Sequence, residues 1–322
     1  MDDKLKAAGE GALLLFLSAV MSNVGMVALI SVAPLLLFAI RHGRKNASYL
    51  VAFGFLLNAA LTLAAGGLPD DAVSSAFLAI NLFIPLSLSA AGIVWLATGG
   101  RRLIGRLLAT LVPSVVLMVA MAAFFYTDRA LLDAVFSAYE DAFAAMLGPV
   151  LGMIIPGIDI GIVAYIAVIM LLSLAFPVLL CGICASCFIF ETALHSRESD
   201  WEERVARLEY SPDAVWGFII SWALVLLLRF VSAPLPLEIA VLNVAGVWTV
   251  IYAIEGFSVV FARIRRHSRA IRSMTVLIVI LILGTLIPGI NFIILIGLPL
   301  LGVLESFFNL KKTGGIDHED HS

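Results

Sequence analysis

One carboxylate stands inside an otherwise apolar stretch of this chain, and its position suggests chemistry. Glu255 lies within the apolar run of residues 237–262, which is long enough to cross a lipid bilayer. A charged side chain at the centre of a bilayer costs about 2.5–3.5 kcal/mol or more, so such residues usually face a cavity or a partner. Glu255 is therefore a candidate for a substrate or ion path. A hydrogen bond that only joins helices is the alternative.

Asn58 and Asn81 form a second candidate pair. They lie in the neighbouring apolar runs 46–66 and 72–97, and a helical rise of about 1.5 Å per residue places both near the middle of the membrane. A hydrogen bond between the two amides is one interpretation, because membrane helices associate through such polar groups. Lining the path of a polar solute is the other.

Other residue patterns indicate no further chemistry. Cys181, Cys184 and Cys187 have the spacing of iron–sulfur ligands, but the run is an apolar helix and Glu191 stands where a fourth cysteine would be. The sequence shows no nucleotide-binding loop, zinc motif or nucleophile elbow. We therefore predict that the protein is not an enzyme and has neither a resident cofactor nor a metal. Its basic residues lie in short loops, which does not indicate binding to nucleic acid.

The composition indicates that all of these residues belong to a membrane protein. Hydrophobic residues make up 62% of the chain and charged residues 13%, with a mean hydropathy of +1.08. A soluble domain usually has about 25% charged residues. A chain this apolar requires lipid as its solvent, and helices satisfy their own backbone hydrogen bonds there. The expected partner of the protein is therefore the lipid bilayer.

We predict an all-α, polytopic transmembrane helical bundle of about nine or ten crossings. Residues 11–40 and 273–309 are longer than one span and are interrupted, the first near Ser22, Asn23 and Pro34 and the second at Pro288-Gly289. Two short helices, or a helix and a re-entrant piece, would both fit residues 11–40. The other predicted spans are residues 46–66, 72–97, 104–126, 160–190, 214–232 and 237–262.

Basic residues predict the orientation of these spans. The run at 237–262 is followed by five arginines, which are Arg263, Arg265, Arg266, Arg269 and Arg272. Loops rich in Lys and Arg stay in the cytoplasm. Alternation from this loop, with ten crossings, places every Lys and Arg except Arg129 and Arg229 on the cytoplasmic side and puts both termini there. Nine crossings would leave the amino terminus outside. We predict a multi-pass protein of the bacterial cytoplasmic (inner) membrane.

Residues 1–312 are predicted to form a single integral membrane domain, followed by a disordered cytoplasmic tail at 313–322. Two stretches of this domain differ from the spans. Residues 128–147 predict an amphipathic helix on the outer side of the membrane, with Asp133, Ser137, Glu140 and Asp141 on its polar face. Residues 191–213 form the largest polar segment, which we assign to the cytoplasm.

The carboxy-terminal third of the chain, residues 216–311, resembles the YybS-like family of predicted bacterial membrane proteins. The matching features are Asn243, the segment Tyr252-Ala253-Ile254-Glu255-Gly256 and the closing segment from Gly302 to Leu310. Family members more often have Gln where this chain has Glu255. The family has no known molecular function, but it is distantly similar to the substrate-binding membrane subunits of vitamin and metal uptake transporters. The resemblance implies a substrate-binding role and adds Asn243 to the candidate site residues.

The leading functional hypothesis is a substrate-binding or transport component for a small polar solute. It rests on the polar residues within the apolar spans and on the family resemblance. Because the chain has no nucleotide-binding motif, active transport would require a partner ATPase or an ion gradient. The alternative is a membrane scaffold or assembly factor that transports nothing.

Overall fold

The computed structural model describes residues 2–311, except 68, 100–102, 155–159, 196–200, 232, 268–276, 278–286, 288 and 309. All regular secondary structure in the described part is helical, which confirms the predicted all-α fold. The chain divides into two compact units, Met1–Leu194 and His195–Ser322. The predicted tail at 313–322 and most of the apolar run 273–287 lie outside the described residues.

The first unit contains seven α-helices and one 3-10 helix within the described residues. These are α1 (Asp2–Ser22), the 3-10 helix Gly25–Ile30, α2 (Ala33–His42), α3 (Arg44–Gly66), α4 (Ala72–Ala97), α5 (Leu103–Thr127), α6 (Arg129–Ile154) and α7 (Ile160–Leu194). The short helix α2 is its most buried element, and it packs against α1, α3 and α7.

The second unit is built around one long helix. Its described elements are α8 (Trp201–Ala206), the 3-10 helix Pro212–Ala214, α9 (Val215–Leu228), α10 (Leu235–His267) and α11 (Ile290–Phe308). Helix α10 packs against α8, α9 and α11. The side chains of Ile251, Tyr252 and Phe261 on α10 are fully buried, so this helix supplies most of the core of the unit.

Seven of the described helices are long and apolar enough to cross a membrane, namely α1, α3, α4, α5, α7, α10 and α11. Two further apolar helices, Val27–His42 and Pro212–Leu228, are shorter. Many of the large apolar side chains of the spans, such as Phe53, Val119 and Leu171, are exposed. Such surfaces require a lipid environment. The chain is therefore a multi-pass membrane protein.

The first apolar run is broken where its polar residues and Pro34 predicted a break. Helix α1 ends at Ser22, and the amide of Asn23 donates a 2.8 Å hydrogen bond back to the carbonyl oxygen of Ala19. Helix α2 starts at Ala33 with Pro34 in its first turn, a position where the missing N–H of proline breaks no helical bond. Residues 11–40 thus form a helix, a 3-10 turn and a short second helix.

Turn residues explain where two other helices begin. The carboxylate of Asp71 accepts a 2.7 Å hydrogen bond from the backbone N–H of Ser74 in the first turn of α4, as helix-capping residues do. This bond lowers the pKa of the Asp71 carboxyl below its ordinary value. Asp128 has the same role at α6, where it accepts a 3.0 Å bond from the N–H of Leu131.

Helix α6 has the predicted amphipathic character and extends beyond the predicted end at residue 147. Leu131 and Val135 are buried against Ala76 of α4, and Tyr139 packs on the same cluster. The predicted polar residues Asp133, Ser137, Glu140 and Asp141 are all exposed. Helix α6 is not among the seven described helices that are long and apolar enough to cross a membrane.

Candidate functional site

Glu255 is enclosed by the packing of the second unit. It lies in the middle of α10, and only 1% of its surface is exposed. Tyr252, one turn earlier, and Ser258, one turn later, are also fully buried. The structure therefore places this carboxylate inside the protein and away from lipid.

The hydrogen-bond partner of Glu255 is a backbone group from the polar segment between α8 and α9. The N–H of Tyr210 donates to Oε1 of Glu255 at 3.1 Å. Nearby, the hydroxyl of Ser258 donates to the carbonyl oxygen of Leu208 at 3.4 Å. Buried backbone groups outside regular helices need such partners. The backbone at Leu208 and Tyr210 is thus attached to the core of the second unit, although the composition of residues 191–213 indicates only a polar loop.

A second buried carboxylate and a buried lysine come from the end of α11. Glu305 is 3% exposed and Lys311 is 7% exposed. Oε2 of Glu305 accepts a 3.2 Å hydrogen bond from the backbone N–H of Lys311, and the ammonium group of Lys311 donates to the carbonyl oxygen of Leu208. Burial lowers the pKa of Lys311 below its ordinary value, and the nearby carboxylates, that of Glu305 first, act in the opposite direction.

The two hydrogen bonds to the carbonyl oxygen of Leu208 show the relative direction of α10 and α11. Ser258 lies in the C-terminal part of α10, and Lys311 follows the C-terminal end of α11. Both reach the same carbonyl oxygen, so the C-terminal parts of the two helices lie side by side and the helices are parallel. They touch closely because Gly256 and Gly302 have no side chain. A β-carbon on either glycine would overlap a carbonyl oxygen of the other helix.

These residues form what we call the Glu255–Glu305 cluster, which consists of Leu208, Tyr210, Glu255, Ser258, Glu305, Ser306 and Lys311. Each carboxylate uses one oxygen to accept a backbone N–H. Among the described residues, Oε2 of Glu255 and Oε1 of Glu305 are buried and have no hydrogen-bond partner. A buried polar atom without a partner costs about 1–3 kcal/mol, and it calls for an explanation such as a bound water, a bound ion or a catalytic role. The cluster can bind a cationic or hydrogen-bonding solute, or exchange a proton.

Glu255 is the only member of the cluster that was a candidate from the sequence, and the two other charged members, Glu305 and Lys311, were missed. Glu305 belongs to the closing segment that carries the family resemblance. Lys311 follows an apolar run, where a basic residue is expected as the cytoplasmic flank of a membrane span. The available signal was that Glu305 is a charged residue in an apolar run, the same signal that identified Glu255.

The predicted pairing of Asn58 with Asn81 is wrong. Asn58 is buried, and its amide nitrogen donates a 3.2 Å hydrogen bond to the hydroxyl of Ser22 on α1. Asn81 is exposed on α4. The helical rise predicts similar depths for the two residues, but it says nothing about which side of each helix carries the amide. Asn58 faces α1 and Asn81 faces the surface of the unit.

Cross-linking can test this correction. With cysteines at positions 22 and 58 in a Cys-free background, a short bifunctional reagent should join the two positions, because the native side chains are in hydrogen-bond contact. The pair at positions 58 and 81 serves as the control and should not react. Efficient cross-linking of the control pair alone would restore the original prediction.

Asn243, the fourth candidate, lies on α10 and is 3% exposed. Its amide nitrogen donates to the carbonyl oxygen of Ile239, one turn earlier, at 2.9 Å. Within the first unit, Asn58 and Asn81 do not meet. Within the second unit, Asn243 and Glu255 lie about 18 Å apart along α10 at a rise of about 1.5 Å per residue.

A different polar cluster joins three helices of the first unit. Arg106 of α5 forms an ion pair with Glu191 of α7 at 3.3 Å and donates to the carbonyl oxygen of Trp95 of α4 at 3.2 Å. The guanidinium carbon lies 3.6 Å from the centre of the Trp95 ring, and the indole N–H donates to Glu191 at 3.2 Å.

Glu191, which stands where a fourth cysteine would be in the cysteine run, forms an ion pair with Arg106. All three cysteines are free thiols.

Comparison with protein-family models, curated proteins and solved structures finds no match to this chain. The resemblance to the YybS-like family therefore stays a prediction. The chemistry of the two polar clusters is the basis for the functional proposal. Among the described residues, both clusters contain a buried polar atom without a hydrogen-bond partner, which is Nε of Arg106 in the Trp95–Arg106–Glu191 cluster. The Glu255–Glu305 cluster differs because its unpartnered atoms are carboxylate oxygens.

Proposed function

We propose that this protein is a transport component of the bacterial cytoplasmic membrane and that it binds a small polar solute at the Glu255–Glu305 cluster. The proposal rests on one observation: two carboxylates are buried in apolar helices, and each has one oxygen that accepts no hydrogen bond from the described residues. Ionisable groups within membrane helices usually mark a substrate or ion path. A scaffold needs no such groups, because neutral side chains would pack the helices at lower cost.

The expected orientation places the cluster toward the cytoplasm. Arg263 and Arg265 lie at the C-terminal end of α10, and Lys311 lies at the same end of the parallel helix α11. The positive-inside rule assigns this end to the cytoplasm. Glu255 is about 15 Å from Arg265 along the helix axis at a rise of about 1.5 Å per residue. We expect solute to exchange with the cytoplasm along residues 208–210. An ion gradient or a partner ATPase would supply the energy for active transport.

Solute binding should be detectable as thermal stabilisation of the purified protein in lipid nanodiscs. A screen of amino acids, sugars, nucleosides, vitamins and metal ions should give a raised unfolding temperature for one chemical class. A solute at a hundred times its Kd stabilises the folded state by about 2.7 kcal/mol. Glu255→Gln and Glu305→Gln should each remove this response, because they remove the charge and one acceptor oxygen while keeping side-chain length.

Glu238→Gln is the matched control, since Glu238 lies on α10 near its other end. It should respond to the solute as the unmodified protein does. Loss of the response in Glu238→Gln as well would show that the effect is not specific to the cluster. A protein that responds to no solute, but copurifies with a stable membrane partner, would contradict the proposal and support the scaffold alternative.

A further inference from the structure

Among the residues that the structure describes, the charges of the Glu255–Glu305 cluster do not balance. Two buried carboxylates face one buried ammonium group, that of Lys311. Glu209, on the surface beside Tyr210, adds a further negative charge to the field at Glu255 and Lys311. Helix α9, which packs on α10, has no charged residue. With every group ionised, the buried cluster has a net charge of −1, which a single added positive charge would neutralise.

The atoms of the cluster that could coordinate a cation are all oxygens. They are the carboxylate oxygens of Glu255 and Glu305, the carbonyl oxygen of Leu208 and the hydroxyls of Ser258 and Ser306. Oxygen donors favour hard cations over the transition metals that prefer nitrogen or sulfur. Within the described residues, no group of three or more His, Cys, Asp or Glu side chains is arranged to hold a metal ion, so the cluster lacks the several carboxylates typical of a divalent site. Two carboxylates offset by one lysine suit an ion of charge +1 better than a divalent ion.

A proton would satisfy these groups less completely than a metal ion. A proton on one carboxyl supplies one donor and can at most pair the two unpartnered carboxylate oxygens of Glu255 and Glu305 with each other, and it leaves the carbonyl oxygen of Leu208 to Lys311. The titratable groups that face Glu255 are Glu209 and Tyr210 from the segment before α9, Tyr252 from α10, and Glu305 and Lys311 from the end of α11. A metal ion can contact several oxygens at once. This difference favours the metal ion.

Lys311 already forms a hydrogen bond with one of the oxygen atoms that would bind the cation. Its ammonium group donates to the carbonyl oxygen of Leu208, the same atom that Ser258 contacts. The amine stands on a flexible four-carbon chain, and Lys311 follows the end of α11. The side chain can therefore leave the cluster without movement of either helix.

Resting on the proposed function, we infer that the Glu255–Glu305 cluster binds a small monovalent metal cation, with sodium as the representative ion, and that the ammonium group of Lys311 competes with it. In this arrangement Lys311 serves as an internal counter-ion. Binding of the cation releases Leu208 from the lysine, and loss of the cation restores that bond. A cation held beside Glu255 would couple an ion gradient to the solute.

The inference is tested by sodium titration of the thermal unfolding midpoint in nanodiscs at fixed pH, with choline chloride keeping the ionic strength constant. Sodium should stabilise the protein and choline should not. Lys311→Met, which removes the competitor, should lower the apparent Kd for sodium by about tenfold or more. Glu255→Gln and Glu305→Gln should abolish the sodium response, and Glu238→Gln should leave it unchanged.

Lys311→Gln provides a second variant if Lys311→Met does not fold, because glutamine keeps a donor for Leu208 without the charge. It should also strengthen sodium binding. Equal effects of choline and sodium, a response to pH alone, or an unchanged sodium Kd in a folded Lys311 variant would each overturn the inference. A solute response that is independent of sodium would overturn the inference and leave the proposed function standing. Sodium binding without any solute response supports the inference and counts against the proposed function.

Discussion

Replacing Gly256 with alanine is expected to push α10 and α11 apart and to destabilise the protein by about 3 kcal/mol or more, the upper end of overpacking effects. The added methyl group would overlap the carbonyl oxygen of Leu298 and lie 3.1 Å from the backbone nitrogen of Gly302. Backbone atoms of a packed helix cannot rotate away as the end of a side chain can. Gly302→Ala should have a similar effect, because its methyl group would overlap the carbonyl oxygen of Tyr252.

Gly297→Ala is the control for both glycine variants. Gly297 also lies on α11, but a β-carbon there would meet nothing within 4 Å. Alanine should leave stability unchanged or raise it by about 0.5–1 kcal/mol, as expected for the removal of a glycine from a helix. The measurement is the free energy of unfolding in detergent or nanodiscs. Equal stabilities for Gly256→Ala and Gly297→Ala would show that the helices do not meet at Gly256.

Replacing Arg106 with methionine should also have a large effect, a loss of about 3–5 kcal/mol of unfolding free energy, as found when one partner of a buried ion pair is removed. The side chains of Arg106 and Glu191 are only 13% and 16% exposed. The substitution removes the cation that faces Glu191 and lies over the Trp95 ring. Solvent can replace little of this interaction at such low exposure.

Two further variants separate the ion pair from loss of side-chain packing. The double variant Arg106→Met with Glu191→Met should be less destabilised than the sum of the single variants, because no buried charge then lacks its partner. Arg207→Met breaks an exposed pair with Glu203, whose side chains are 77% and 48% exposed. That change should alter stability by no more than about 0.5 kcal/mol. A similarly small effect for Arg106→Met would contradict a stabilising role for the cluster.

The helices of this protein could be predicted from the sequence with good accuracy for a physical reason. Membrane spans are set by the length of apolar runs, and residues 72–97 were predicted and found as α4. Polar residues and prolines mark interruptions, as Asn23 and Pro34 do in the first run. These signals are local, so they can be read without knowledge of how the helices pack.

The candidate site could be predicted only in part, because its partners come from distant parts of the chain. Glu255 is conspicuous as a charge in an apolar run, but its partner is the backbone N–H of Tyr210. Because every residue except proline has a backbone N–H, residue type does not identify such a partner. The pairing of Asn58 failed for a related reason. Depth along a helix follows from counting residues, whereas the direction of a side chain depends on which helices pack around it.

The attachment of residues 208–210 limits where this protein can be altered. Polar stretches between helices are normally the places that accept an inserted epitope or a fused reporter domain, and composition alone would select the stretch after α8. Here the carbonyl group of Leu208 and the amide of Tyr210 are both held inside the second unit, so an insertion would pull the backbone away from Glu255. The turn between α3 and α4, where Gly67 and Asp70 are exposed, is the better position for an epitope.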